Sequence, residues 1–308
     1  MQKMLFYWSY FIHKALFNWI EVKRPRVGMF LYELRYSLMK FIDYESQIPS
    51  PAAIVEIETR FGRFRIRPGT SDMVNTSPAF ERRDVNYLLA LLARLLERDM
   101  NVLFLDIGAD IGTFSVIAGN RFKNNPRMRI MAFEPSTSNF SLLKENVRDL
   151  NGLKAELVNT ALWSEDGLEM DFGFNPGMPG TSGLIKSSGG AHEKVITRKL
   201  DSVLEDCIHS FDAFVLKMDV EGAEEEILKG AGSLIGSGKE IHILIEDFVR
   251  PEIVDYLEKT GARFITKLTP YNSFWEYNGV IMQSETFREE KRVLPLRAGT
   301  PAPVSRNS

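Results

Sequence analysis

The sequence predicts an α/β protein, a mostly parallel sheet covered by helices and preceded by a helical and β-hairpin extension. Three observations carry this. Short apolar runs alternate with stretches of helical spacing from about residue 80 onward. Several of those runs end in a glycine or an acid where a helix begins, as buried parallel strands do. The 308 residues, 44% hydrophobic and 26% charged, suffice for one large core with an appendage.

Residues 1–50 differ in composition from the rest. They hold 12 of the 34 aromatic residues, and seven Lys or Arg against four Asp or Glu. On a helical wheel Leu5, Trp8, Ile12, Ala15, Leu16 and Trp19 share one face, with Lys3, Ser9, His13, Lys14 and Asn18 opposite and Lys23, Arg24 and Arg26 following. Two readings stay open for this helix. It packs on the following domain or on a second copy in a homo-oligomer, or residues 1–26 lie on an anionic membrane surface. A cleaved signal peptide is disfavoured, because Tyr7, Trp8, Tyr10 and His13 interrupt the apolar region and no small-residue cleavage site follows. No run reaches the roughly 18 uncharged apolar residues that span a bilayer.

Pro49-Ser50-Pro51 marks a break. Residues 51–100 then read as a hairpin, Ile54 to Ile57 and Arg63 to Arg67 around Phe61-Gly62, and a helix capped at Ser77-Pro78 with Val85, Leu88, Leu89, Leu92, Leu95 and Leu96 inward. Alternation puts Arg63, Arg65 and Arg67 on one face, expected to be a solvated edge.

The third segment, 101–285, opens on Val102-Leu103-Phe104-Leu105-Asp106-Ile107-Gly108-Ala109-Asp110-Ile111-Gly112-Thr113, a strand breaking over a glycine turn into a helix. Gly108 suits positive φ, and Gly112 leaves room for a ligand or the first helical turn. Amides at the start of that helix are expected to face the crevice. A dinucleotide fingerprint would put pyrophosphate there, but Asp106 and Asp110 repel phosphate and the middle glycine is missing, so an NAD-dependent oxidoreductase is disfavoured. A cationic nucleoside, S-adenosylmethionine, fits better. Glu134, ending the next apolar run at Phe133-Glu134-Pro135, is placed to accept both ribose hydroxyls. Ala155 to Val158 is a third strand, and Asn159, Thr160 and Ala161 at its exit are assigned to the adenine edge.

Leu168 to Phe172 reads as a strand. Gly173 to Gly190, with six glycines and two prolines, is a lid carrying Thr181 and Ser182 to the acceptor, or a surface loop. His192 at its end is a candidate base. In Phe214 to Glu224, period two places Lys217, Asp219 and Glu221 on one strand face before a helix. Charges there are poorly explained by packing, and Asp219 is the first candidate base, Glu221 the second, with Lys217 holding the carboxylate or acceptor oxygen. A structural ion pair is the alternative. Ile241 to Ile245 forms another strand, with Glu246 at its exit facing the crevice and His242 a hydrogen-bonded core residue. Arg263 to Lys267 and Glu276 to Met282 make a final pair, joined by Leu268 to Trp275, whose Tyr271 and Asn272 are offered to the acceptor pocket. Residues 286–308 read as a disordered tail.

Cys207 is the single cysteine, which suits a reducing, cytoplasmic compartment, free or peripheral at the inner face of a membrane. Four scattered histidines give no metal spacing, and a metal-free site is expected, although Asp219 and Glu246 are oxygen ligands of the kind magnesium takes. A net charge of -3 argues against a nucleic-acid partner.

The Asp106-to-Gly112 turn, Phe133-Glu134-Pro135, Lys199-Leu200-Asp201-Ser202-Val203-Leu204 and Lys217-Met218-Asp219-Val220-Glu221-Gly222-Ala223-Glu224 together resemble the FkbM family of methyltransferases over about residues 55–285. The resemblance implies a class I S-adenosylmethionine-dependent fold, seven strands with the last antiparallel. It implies methylation of a hydroxyl on a sugar, glycan or polyketide-like small molecule. Where the family typically has Asn, this chain has Asp110, a departure that either strengthens contact with the cofactor's amino group or alters the turn. The aromatic amino terminus, outside the resemblance, leaves a cofactor-binding but inactive scaffold as the rival from a different class.

Overall fold

The computed structural model describes residues 54–59, 61–67, 70–76, 80–148, 150, 152, 154–174, 183, 191–247 and 250–279. The readings made for residues 1–50, for Ser77-Pro78, for Thr181 and Ser182, and for the 286–308 tail lie outside these residues.

The hairpin forms as expected: β1 (Val55–Thr59) pairs antiparallel with β2 (Gly62–Ile66), Val55 opposite Ile66. Its arginines do not form a solvated edge. Arg63 is exposed, but Arg65 pairs with Glu56 and Glu145, and Arg67 binds Asp72 through Nε (2.8 Å) and Nη2 (2.9 Å). The alternation is right, and tertiary packing fills the face it creates. After α1 (Asp72–Asn75) comes α2 (Arg82–Glu97), with Val85, Leu88, Leu92, Leu95 and Leu96 buried and Leu89 only partly so.

The strands β3 (Val102–Ile107), β4 (Met128–Phe133) and β5 (Lys154–Val158) alternate with α3 (Thr113–Phe122) and α4 (Thr137–Arg148). All six residues of β3 are buried, as its continuous apolar run predicts for a strand covered on both faces. A separate small sheet follows, built from β6 (Ala161–Leu162), β7 (Glu169–Phe174) and β8 (Ala191–Arg198). The length of β8 was not legible, because half its outer positions are charged and it shares one register with β7 only in space. Then come α5 (Leu200–Leu204), β9 (Ala213–Met218), α6 (Glu224–Lys229), α7 (Gly232–Ile235), β10 (Glu240–Glu246), α8 (Pro251–Lys259), β11 (Arg263–Lys267) and β12 (Asn272–Tyr277).

The main sheet has the order β11-β12-β10-β9-β3-β4-β5. From β3 the chain moves outward through β4 to β5, then returns to lay β9 on the other side of β3, and β10 beyond it. β12 is antiparallel to both its neighbours, so the expected seven strands with an antiparallel last member are present. The last strand starts earlier than predicted, at Asn272. Asn272 and Ser273 read locally as turn residues, yet pairing with β10 buries all six positions of β12, so Phe274 and Trp275 are core and not pocket wall. The reversal of strand order between β3 and β9, which run parallel, is the switch point at which open α/β sheets bind ligands.

Candidate active site

Two loops meet at that point, one leaving β3 and one leaving β9. The first is a tight turn in which Gly108 and Ala109 donate to the Phe133 carbonyl at 3.1 and 2.9 Å, and Gly112 donates to the Ala109 carbonyl at 2.7 Å. Gly108 has φ of 78°, and a Cβ on it would lie 1.9 Å from the Asp219 carbonyl oxygen. Glycine is needed there so that the two loops can pass. A Cβ on Gly112 would meet Leu143 Cδ1 at 2.6 Å, so the space expected for a ligand or the first helical turn belongs to α4.

Beside the turn opens a cleft. Its polar edge is Asp110, Glu134, Asn139, Thr160 and Asp219, and its apolar wall includes Ile107, Phe133, Leu162 and Phe172. Gly108, Pro135 and Ala161 also line it. Of the residues expected to touch a cofactor, Asp106, Ala109, Gly112, Thr113 and Asn159 are not in that lining. Asn159 ties the loop together by donating to the Glu134 and Pro135 carbonyls at 2.8 and 3.0 Å. Asp106 is the main correction. Its Oδ2 accepts from the N–H (3.0 Å) and hydroxyl (2.6 Å) of Ser115 in α3, and Lys217 lies across from it in the β3–β9 register. The Ser115 amide thus serves Asp106 and does not face the crevice.

Glu134 is buried and accepts from the Asp110 amide through Oε2 and the Ser136 amide through Oε1, both at 2.9 Å. Burial, with Asp110 adding to it, pushes its carboxyl up to about 8. Asp110 sits in the left-handed region at φ 51°, takes Asn75 Nδ2 at 3.1 Å, and lies 3.8 Å from Arg67. Burial and then Asp72 raise it to about 7, against Arg67.

On the far side of Asp219 the charges gather. Lys217 Nζ donates to Asp219 Oδ2 at 2.8 Å and lies 4.8 Å from the Phe114 ring centroid. Burial alone would lower its pKa, but Asp219, Glu81 and Asp106 around it carry it above the usual lysine range. Glu221 (φ 55°) and Glu246 bring carboxylates within 4.8 Å of one another and of Asp219. Burial, followed by Asp219 and Glu221, raises Glu246 to about 9. Gly183 of the glycine-rich segment reaches this place: it bridges Gly173, and a Cβ on it would stand 3.2 Å from that of Glu221.

Of the other acceptor candidates, Tyr271 is 54% exposed, and His192 is exposed on β8 opposite Gly173 and outside the cleft lining. Asn272 is buried, opposite Glu246 in the β10–β12 register. Sequence reasoning missed Asp72, Asn75, Asn139, Glu81 and Asp84. Burial raises Glu81, at φ 43° before α2, to about 8, and Asp84 is fully buried and raised to about 6 by burial against Asn272 and Lys217. One signal was available. Asp84 falls on the buried stripe of α2 with Leu88, Leu91 and Leu95, where an acid has no packing role.

Residues 106–264, just over half of the chain, match the methyltransferase FkbM domain. The chain belongs to the FkbM-domain methyltransferases. This FkbM-domain chain is 30% identical over 185 residues to the hexuronic acid methyltransferase AglP of Haloferax volcanii, covering 60% of itself and 72% of that protein. It is 28% identical over 145 residues to methyltransferase 1 of Beauveria bassiana, a match covering 41% of this chain and only 57% of that relative. A solved precorrin-6y C5,15-methyltransferase from Geobacter metallireducens aligns at 16% identity and TM-score 0.35, over 58% of this chain and 81% of that one.

Membership brings the expected methyl donor, S-adenosylmethionine, and the cleft suits it. Asp110 Oδ1, at the edge of the cleft, is a buried acceptor without a hydrogen-bond partner. Atoms of this kind call for a ligand that brings donors and positive charge, as an amino group, a sulfonium and ribose hydroxyls do. A pyrophosphate would bring the opposite.

Proposed function

We propose that this methyltransferase methylates a hydroxyl oxygen of a sugar, glycan or polyketide-like small molecule. The observation that carries the reading is the Lys217–Asp219 pair, 2.8 Å apart at the exit of β9, with Asp219 lining the cleft. A hexuronic acid methyltransferase among the relatives supports a sugar-like acceptor.

S-adenosylmethionine supplies a methyl on positively charged sulfur whose departure leaves a neutral thioether. The chain has then to hold the donor, align the acceptor oxygen and remove its proton. Glu134 accepts from the ribose hydroxyls. Asp110 takes the amino group, with Arg67 and Asn75 fixing its carboxylate. Pro135, Thr160 and Ala161, with Asn139 and Phe172, border the adenine. Asp106, Ala109, Gly112, Thr113 and Asn159 position these groups from behind. Asp219 takes the hydroxyl proton as the new O–CH3 bond forms, and Lys217 both orients that carboxylate and offers charge to the developing alkoxide. Glu221 and Glu246 border the acceptor, Asn272 stands opposite Glu246, and Thr181 and Ser182, outside the described residues, are proposed to face it.

Asp219→Asn tests the assignment. Methyl transfer to a panel of sugar and uronic acid glycosides, read by mass, is expected to fall at least about a hundredfold, as loss of a general base does. Adenosylhomocysteine affinity by calorimetry is expected to stay within about threefold, since the exchange removes no donor-side hydrogen bond. An unimpaired rate removes Asp219 from the mechanism.

A further inference from the structure

We propose that Arg67, which follows the hairpin and lies outside the matched FkbM domain, is a positioning residue for the methyl donor, holding in place both acids of the donor side, Asp110 and Glu134. The inference rests on the donor-side reading given above. Arg67 is itself firmly held. The fully buried Asp72 takes its Nε at 2.8 Å and its Nη2 at 2.9 Å, and the same carboxylate accepts the Arg67 amide at 2.8 Å. A guanidinium gripped on two of its nitrogens cannot swing, so its remaining N–H groups point in set directions. Nη1 donates to Oδ1 of Asn139 at 2.8 Å. Nη2 stands 3.8 Å from Oδ1 of Asp110, an oxygen with no hydrogen-bond partner.

The contact with Asn139 decides which way that side-chain amide points. A guanidinium only donates, so Asn139 has to turn its oxygen toward Arg67 and its NH2 elsewhere. The NH2 goes to Glu134, with which Asn139 is hydrogen-bonded. Asn139 is buried, and the opposite amide orientation would set its oxygen against the Glu134 carboxylate and its NH2 against the guanidinium, leaving both contacts unmade. Glu134 ends β4 and Asp110 belongs to the turn after β3, yet both line the cleft and one arginine reaches both, Asp110 by charge and Glu134 through Asn139.

The competing role is a structural one, in which Arg67 only fastens the hairpin to α4. The hairpin has another fastening. Asn146 of α4 accepts the Arg65 amide at 2.6 Å, and its Nδ2 donates to the Arg65 carbonyl at 3.2 Å and to the Ile111 carbonyl of the glycine turn at 2.8 Å. These bonds keep β2 against the turn whichever side chain stands at position 67.

The full chain and its variants are titrated with adenosylhomocysteine by calorimetry. Arg67→Met is expected to weaken binding at least about tenfold, as the loss of hydrogen bonds from a charged group does. In a chain already carrying Asp110→Asn and Asn139→Ala, the same exchange is expected to cost less than about threefold, because the groups through which Arg67 acts are gone. An arginine that only fastened the hairpin would cost the same in both backgrounds; that result, or an affinity unchanged by Arg67→Met, overturns the inference. Arg67→Lys, which keeps a cation for Asp72 but not the fork, takes the place of Arg67→Met in both backgrounds if the latter does not fold. A wild-type chain that binds no adenosylhomocysteine overturns the donor-side reading and this inference with it, whereas wild-type binding with no coupling between the exchanges overturns this inference alone.

Discussion

At the residue scale, the proposed contact of Glu134 with the cofactor predicts that binding depends on pH. The Glu134 carboxyl is raised to about 8 from an ordinary 4.5, so the folded chain keeps a proton that the unfolded chain gives up. This part of the stability is present below pH 4.5 to 8 and is lost as pH rises through that window. A ligand that donates hydrogen bonds to the ionised carboxylate has the opposite dependence. Adenosylhomocysteine is expected to bind roughly fivefold tighter at about pH 8 than at about pH 7, measured calorimetrically, and Glu134→Gln should abolish the slope. A slope that survives that exchange would assign it to another group. Lys217 is the second residue whose removal should be diagnostic. Lys217→Met leaves the buried Asp106 and the paired Asp219 without their cation, and urea unfolding should show a loss of about 3–5 kcal/mol, the range for breaking a buried pair.

At the scale of elements, the exits of β3 and β9 are built against each other. A Cβ at Gly108 would stand 1.9 Å from the Asp219 carbonyl oxygen, closer than any contact can be, and φ there is 78°. Gly108→Ala is expected to cost about 3 kcal/mol or more in denaturant unfolding, because either loop has to move. Gly167 provides the control. It has φ of 79° but nothing within 4 Å of a Cβ, so Gly167→Ala should cost only about 1 kcal/mol of backbone strain. Equal losses at the two positions would show that the clash is relieved at no cost. The glycine turn was legible because its residue types are demanded by its own backbone. The start of β12 was not, since only β10 makes a strand of Asn272 and Ser273.

For the molecule as a whole, the order β11-β12-β10-β9-β3-β4-β5 puts the strands of the proposed donor side, β3 to β5, next to β9, β10 and β12 of the proposed acceptor side. No helix among the described residues is long and apolar enough to cross a membrane. Residues 1–26 lie outside the described residues, and their aromatic, basic composition suits a helix packed on the following domain or on a second copy, or one lying on a membrane surface. Removing residues 1–24 is expected to change vesicle partitioning or the mass measured by light scattering, and to leave adenosylhomocysteine affinity unchanged. A folded truncation that no longer binds it would tie this segment to the cleft.

The sequence by itself determined the strands of the main sheet apart from the start of β12, the glycine turn, and the placing of Glu134, Asp219 and Glu246 at strand ends, since a buried run, a positive φ and a charge at a strand's end each demand particular residues locally. Tertiary structure alone decided that Asp106 turns to Ser115 while Glu134 and Asp110 line the cleft, that Arg67 and Asn75 hold Asp110, and that Asp84 and Asn272 meet. Asp106 and Ser115 are nine residues apart and the other partners lie tens of residues or more apart, and no periodicity along a chain encodes which loop a side chain will face once the strand order reverses.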